Sequence, residues 1–269
     1  MTVERIGFIG LGDMGFPMAR RLLKSGHTVI SCANRRREPI ETLKKEGLIE
    51  EKDPRSVGAQ SDILMTIVVG DGQTDAILHG PTGAMAGMRP GSLIILMSTL
   101  LPTYCQAIAV EAAEKGVDVI DCPVSGGSIG AEKGTLALIA GGKSEQLARA
   151  TGALNVLGTV HHCGEIGMGQ VAKLANNTVC HISNAAVQEA RELARSYGMD
   201  LDRLMEVISK STGKCFVADN WEFVMTNWSH LSVLARKDME LGLEAAKATG
   251  TTMKIAETCC CDDLDKKRV

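Results

Sequence analysis

No glycine or proline interrupts the chain between Gly169 and Gly198. Nothing local therefore stops a helix from about Met168 to Tyr197, roughly 45 Å long at about 1.5 Å per residue. A rod of that length outruns an ordinary domain and predicts two bodies joined by one helix. Its charge is uneven. Between Met168 and Gln188 the only formally charged side chain is Lys173, whereas Glu189, Arg191, Glu192 and Arg195 crowd the end. The first two-thirds is expected to be buried all round and the last third to emerge into water. A buried lysine is expensive unless it is partnered or gives up its proton readily, and in that state it can serve as an acid or base. Asn177 stands four residues on and shares its face, with Gln170, His181 and Asn184 near the same polar, uncharged stripe. The competing reading is an ordinary surface lysine.

The chain has 269 residues and 45% of them are apolar, enough for one large domain or two modest ones. A net charge of −3 and 3% aromatics argue against nucleic acid and against a polybasic membrane surface. No apolar run reaches the length of a membrane span, and the start, MTVERIGFIGLG, lacks the regions of a signal peptide. A cytoplasmic protein is expected, and its nine cysteines are expected to be reduced thiols. Cys259, Cys260 and Cys261 are adjacent, without the spacing of a zinc site, so no metal is expected.

Ahead of the long helix the chain alternates apolar runs with helical segments. Ile6 to Gly10 reads as a strand that enters Gly10-Leu11-Gly12-Asp13-Met14-Gly15 and then an amphipathic helix. Gly10 permits the turn, Gly12 lets backbone approach a pyrophosphate, and Gly15 lets helix meet strand. A second strand, His27 to Ala33, ends in Asn34-Arg35-Arg36-Arg37. No carboxylate stands there to favour a free ribose hydroxyl, and Arg35 can clamp a 2′-phosphate. NADP(H) is expected over NAD(H), with a solvated basic loop as the alternative. Further strands are expected at 62–69, 92–97, 117–122, 136–140 and 159–163. Val68 and Val69, before a Gly70-Asp71-Gly72 loop, are expected to line the cofactor crevice. Thr99 follows a strand, and its hydroxyl either reaches the cofactor or caps the next helix. Pro123 to Gly130 reads as a loop whose amides at Ser125, Gly126 and Gly127 form an anion nest for a small carboxylate. Beyond Gly198 everything reads as helix. Asp200 or Asp202 is a cap, Trp221, Phe223 and Trp228 are core, and Lys237 with Asp238 is a surface pair.

Four blocks carry a resemblance: GFIGLGDMGFPMA from Gly7, DCPVSGGSIGAEKGTL from Asp121, GMGQVAKLANN from Gly167 and KDMELGLEAA from Lys237. In this order and spacing the chain resembles the β-hydroxyacid dehydrogenases, which include 3-hydroxyisobutyrate dehydrogenase and the tartronate, glyoxylate and succinic semialdehyde reductases. The resemblance implies a Rossmann-type doubly wound parallel sheet over residues 1–164. An all-α domain over 165–269 follows, joined by the long helix, with the active site between them. It makes Lys173 the catalytic acid/base and Asn177 its positioning partner. Ser125, Gly126 and Gly127 take the substrate carboxylate, and Thr99, Lys237 and Asp238 move to the cofactor and cleft. The reaction implied is reversible hydride transfer between NADP(H) and a small hydroxy acid or its semialdehyde. The resemblance also implies a homodimer or homotetramer. Family members usually run further past the KDMEL helix, so the substrate domain is expected to be abbreviated, with a second subunit completing it. Two rivals stand beside this: an imine reductase of the same fold, where Asp or Tyr generally replaces the lysine, and a non-catalytic NADP-binding scaffold.

Overall fold

The computed structural model of the chain describes residues 4–34 and 36–262, with the side chains of 261 and 262 left aside. The chain divides into two compact units, one up to Lys173 and one from Leu174 onward. The first is built on six parallel strands: β1 (Ile6–Ile9), β2 (Val29–Cys32), β3 (Ile49–Glu51), β4 (Ile63–Thr66), β5 (Leu93–Leu96) and β6 (Asp118–Asp121). Their spatial order is β3-β2-β1-β4-β5-β6. That is the doubly wound order in which the strand sequence reverses between β1 and β4, opening a crevice at the carboxyl ends of those strands. The crossovers are α1 (Gly15–Lys24), α2 (Glu38–Lys44), α3 (Pro54–Gln60), α4 (Gly70–Leu78) and α5 (Pro102–Ala113).

The strands are short apolar runs because both faces are covered. Side chains alternate, so Phe8, Met65 and Ile95 join one buried cluster with Met18 and Leu22 of α1. Leu64, Ile94 and Leu96 join the other, with Val57 of α3 and Ile108 of α5. A second sheet follows, with β7 (Val124–Ser125) antiparallel and β9 (Gly158–His162) parallel to a central β8 (Leu136–Ala140). It carries α6 (Gly127–Lys133) and α7 (Ser144–Leu157). Arg21 of α1 ties these helices down by donating to the carbonyls of Val156 at 3.0 Å and Glu132 at 3.1 Å.

The long helix, α8 (Met168–Ser196), forms as expected and crosses the boundary between the units. Its first two-thirds is not buried all round, however. Val171 is 44% and Val179 67% exposed. The lack of charge there reflects an apolar outer face, which the charge count alone cannot tell from burial. The opposite stripe is buried: Gln170, Lys173, Asn177, Asn184 and Gln188 are all below a tenth exposed. Their spacing of three, four and seven residues is that of one helix face.

The second unit adds α9 (Leu201–Lys210), α10 (Phe216–Asp219), α11 (Trp221–Thr226), α12 (Trp228–Ala248) and α13 (Lys254–Asp262). Asp200 caps α9, accepting from the amides of Asp202 at 2.9 Å and Arg203 at 3.1 Å. Trp228 is buried with Val187 and Met205, and Trp221 packs beside them under the Arg191 guanidinium, 4.2 Å from its ring centre. Phe223 is not core. It is exposed, because the short α11 turns Val224 inward instead. Cys259 and Cys260 pack with Met239 of α12, and the side chain of Cys261 lies outside the described residues. All eight cysteines whose side chains are described are free thiols. Among the described residues no helix is long and apolar enough to cross a membrane.

Two further expectations fail locally. Gly70-Asp71-Gly72 is not a loop but the first turn of α4, where Thr74 Oγ1 donates back to Gly70 at 3.0 Å and the Gln73 side chain accepts from the Val69 amide at 3.3 Å. Pro123 to Gly130 is not all loop either, because β7 and α6 take most of it.

The first turn separates two kinds of glycine. Gly10 has φ +108°, and a Cβ on Gly15 would meet the carbonyl oxygen of Gly10. A Cβ on Gly12 would meet nothing within 4 Å. Gly15 is therefore demanded by the chain itself, whereas Gly12 is demanded by nothing in the chain. Gly15→Ala is expected to cost about 1–3 kcal/mol in thermal unfolding. Gly12→Ala should leave stability within about 0.5 kcal/mol and weaken dinucleotide binding, read by fluorescence titration. Equal losses of stability in both variants would contradict this division.

Candidate active site

The carboxyl ends of the parallel strands converge on the crevice. Gly10 follows β1, Asn34 follows β2, Val68 and Val69 follow β4, and Ser98 and Thr99 follow β5. The α1 amino terminus has no side-chain cap and no acidic residue in its first turn. An anion is favoured at such an end, where unbonded amides and the helix dipole face outward. The open space over Gly12 and this uncapped end together fit a dinucleotide pyrophosphate. Asp13 is exposed there, and Leu11 and Met14 pack partly against the core.

The Val68 amide donates to Ser98 Oγ at 2.8 Å, so the buried Ser98 hydroxyl fixes the loop after β4. Val68 is half-buried and Val69 exposed. Thr99 is not the cap residue of the next helix, since α5 starts behind Leu101. Asn34 is exposed at the end of β2, and Arg35 lies outside the described residues. Arg37 is engaged elsewhere, with Glu41 at 2.7 Å and Glu50 at 2.8 Å. Ser125 ends β7. Gly126 and Gly127 then take φ +127° and +63°, a pair of left-handed conformations that other residues avoid.

Lys173 and Asn177 are each 8% exposed, on one face of α8. In the helical unit, Asn177 Nδ2 donates to Asp238 Oδ2 at 2.6 Å. The other oxygen, Oδ1, stands 3.1 Å from Lys237 Nζ. Lys237 and Asp238 therefore form a half-buried pair tied to Asn177, not a free surface pair. Asn177 Oδ1 accepts from Asn176 at 3.3 Å.

Two residues with no assigned role in the sequence hold the start of α8. Asp121, the last residue of β6, is fully buried. Its Oδ1 accepts from the Gly167 amide at 2.6 Å and its Oδ2 from the Gln170 amide at 2.7 Å. Gln170 in turn donates from Nε2 to Ser98 O at 2.9 Å and accepts at Oε1 from the Leu100 amide at 3.0 Å. The signal was present as a second carboxylate in the strand VDVIDC, at its carboxyl end between Ile120 and Cys122, whereas the first, Asp118, is exposed where the strand begins.

Burial lifts the Asp121 carboxyl from the ordinary 3.8 up to about 6, against the pull of the Gly167 and Gln170 amides. The pKa is raised in the fold, so this group's contribution to stability is full below about pH 4 and is lost as pH rises through about 6. Exposed carboxylates titrate alike in the parent and in Asp121→Asn and cancel in their difference. The melting temperature of the parent relative to Asp121→Asn is expected to fall between pH 4 and 6.5. A difference flat across that range would refute the assignment.

Comparison with known proteins agrees with this fold. Residues 5–169 match the family described as the NAD binding domain of 6-phosphogluconate dehydrogenase. Residues 167–260 match the family described as NAD-binding of NADP-dependent 3-hydroxyisobutyrate dehydrogenase. A probable mitochondrial 3-hydroxyisobutyrate dehydrogenase of Dictyostelium discoideum is 32% identical over 95% of this chain and 83% of its own length. A solved 3-hydroxyisobutyrate dehydrogenase of Mycobacterium tuberculosis, with L-serine, superposes with a TM-score of 0.84 at 28% identity, over 96% of this chain and 92% of that one. An imine reductase of Myxococcus stipitatus, solved with NADP+, has a TM-score of 0.68 at 20% identity over 95% of this chain and 91% of that one, a likeness of fold alone. With both halves matched and the crevice formed, the chain belongs to the β-hydroxyacid dehydrogenase family, oxidoreductases whose cofactor is NAD(P)(H).

Proposed function

We propose that the protein interconverts a small hydroxy acid and its semialdehyde or keto acid with NADP(H), using Lys173 as the general acid/base. The observation that carries this reading is Lys173 itself. It is an ammonium side chain 8% exposed, on the turn of α8 that follows the one bonded to the ends of β5 and β6.

Gly10 to Gly15 would hold the pyrophosphate, Asn34 and Arg35 the adenosine ribose and its phosphate, and Val68, Val69 and Thr99 the nicotinamide half. Lys237 and Asp238 would border that half. The cofactor supplies the hydride when bound. The chain's own part is to hold the substrate and move the proton. Ser125 and the amides at Gly126 and Gly127 receive the substrate carboxylate. Lys173 Nζ gives a proton to the oxygen that gains charge during reduction and takes one from the hydroxyl during oxidation. Asn177, its amide held by Asp238, keeps the substrate oxygen beside the lysine. We assign 1–164 as the NADP-binding domain, which also lends Ser125 to Gly127 to the substrate, and 165–269 as the helical substrate and oligomerisation domain, within a cytoplasmic homodimer or homotetramer.

Lys173→Ala is expected to lower kcat about 10²- to 10⁴-fold while NADPH binding is kept. The test is a spectrophotometric panel of hydroxy acids and semialdehydes, with a cyclic imine beside them. Near-normal turnover in the variant removes the lysine's role. Turnover of the imine alone points to the imine reductase reading. Bound NADPH with no oxidation by any member points to a scaffold. Arg35→Ala is expected to lower kcat/KM with NADPH about tenfold and leave that with NADH unchanged, as suits the loss of one charge-assisted contact. Equal effects on both cofactors would refute the 2′-phosphate role.

A further inference from the structure

Catalysis by one lysine requires its nitrogen to return to the same place relative to the cofactor in every molecule. Misplacement of about 1 Å can cost on the order of 10²-fold in rate. Lysine has four rotatable side-chain bonds, so its backbone at least must be held. In the first unit, what holds it is visible. The first turn of α8 is bonded at both ends of the Asp121 carboxylate and at both ends of the Gln170 amide. Gln170 and Lys173 are three residues apart and share a helix face, about 4.5 Å apart along the axis.

The partners of this clamp stand at the same carboxyl edge of the sheet as the crevice. Asp121 ends β6, and Ser98 to Leu100 follow β5. Ser98 also fixes the Val68 loop through its hydroxyl. One continuous set of bonds thus runs from the loop after β4, through Ser98 and Gln170, to the helix that carries Lys173.

The cradle around the carboxylate is walled by glycine. A Cβ on Gly169 would lie 2.7 Å from Asp121 Oδ2 and 2.9 Å from the Gly141 amide. A Cβ on Gly141 would press on Asp121 Oδ1 and lie 2.7 Å from the Gly169 amide. Gly141 pairs with Asp121 through both backbone bonds, at 2.8 and 3.1 Å. Strand end, carboxylate and helix amino terminus therefore approach at backbone distance, leaving the clamp no slack.

We propose that Asp121, with Gln170, is the positioning device for Lys173: the buried carboxylate and amide lock the first turn of α8 to the ends of β5 and β6 and so set the lysine against the cofactor crevice. This rests on the acid/base reading of Lys173. Asp121 is a positioning residue and touches no reacting atom.

The test compares Asp121→Asn, Lys173→Ala and the double variant, with active sites counted by NADPH binding. A substrate found by the panel above serves as probe. Asp121→Asn keeps one acceptor oxygen and is expected to lower kcat per site about 10- to 100-fold, with substrate KM and the NADPH Kd within about twofold. In the Lys173→Ala background the same change should do nothing further to kcat, because its effect passes through the lysine. A purely structural role would reduce the number of sites and the melting temperature, not the rate per site. Asp200→Ala, which removes a similar two-amide cap from α9, supplies that comparison and should lower the melting temperature with kcat unchanged.

If Asp121→Asn does not fold, Gln170→Met carries the same measurement. Wild-type kcat per site in the folded variant overturns the proposal. So does a fall in kcat that repeats in full in the Lys173→Ala background. Retained turnover in Lys173→Ala itself overturns the acid/base reading instead, whatever Asp121 does.

Discussion

A carboxylate shut away from water is where the two sheets and the long helix of the first unit meet. Asp121 ends β6, pairs with Gly141 beyond β8, and accepts from the amides that open α8. Burying such a charge is costly, and the bonds it receives offset that cost only in part, so its carboxyl stays lifted to about 6. Each charge-assisted bond contributes about 1.5–3 kcal/mol, and the two amides lie at a helix end whose dipole also favours an anion. The arrangement needs backbone to come close from two sides, and glycine alone allows that. Gly141 and Gly169 are thus part of the same interaction as the aspartate.

The crevice follows a similar logic with a different guest. The sheet order reverses between β1 and β4, and the loops after β1, β2, β4 and β5 gather there. Gly15 is consumed by packing against Gly10, while Gly12 faces open space. The turn therefore combines one glycine that the fold requires with one that the fold leaves open. In the helical unit, the Asn177–Asp238–Lys237 chain orders a second set of polar groups. A lysine and an asparagine that looked like separate sequence features are there linked through one carboxylate.

Much of this was legible in the chain. Strands buried on both faces read as apolar runs, so β1, β2, β4, β5, β6 and β8 are visible as such, and the glycine turn announces the first crossover. Less was legible where burial is partial. The three-residue edge strand β3, Ile49–Glu51, carries two glutamates and shows no apolar run. Helix α3 is seven residues behind an Asp53 cap. The outer face of α8 misled for a related reason: Val171 and Val179 are apolar and exposed, and residue type does not report exposure one residue at a time.

By itself the sequence determined the alternation of strand and helix, the Gly10–Gly15 turn, the long helix and the polar stripe bearing Lys173 and Asn177. These are set by local properties: periodicity, the freedom of glycine and the absence of helix breakers. Only the tertiary structure decided that Asp121 and Gln170 hold that helix, that Ser98 fixes the loop beside the crevice, and that Asp238 binds Asn177. These contacts join residues 30 to 72 positions apart. Hydrogen bonds depend on where two groups end up in space, and a linear pattern carries no record of that distance.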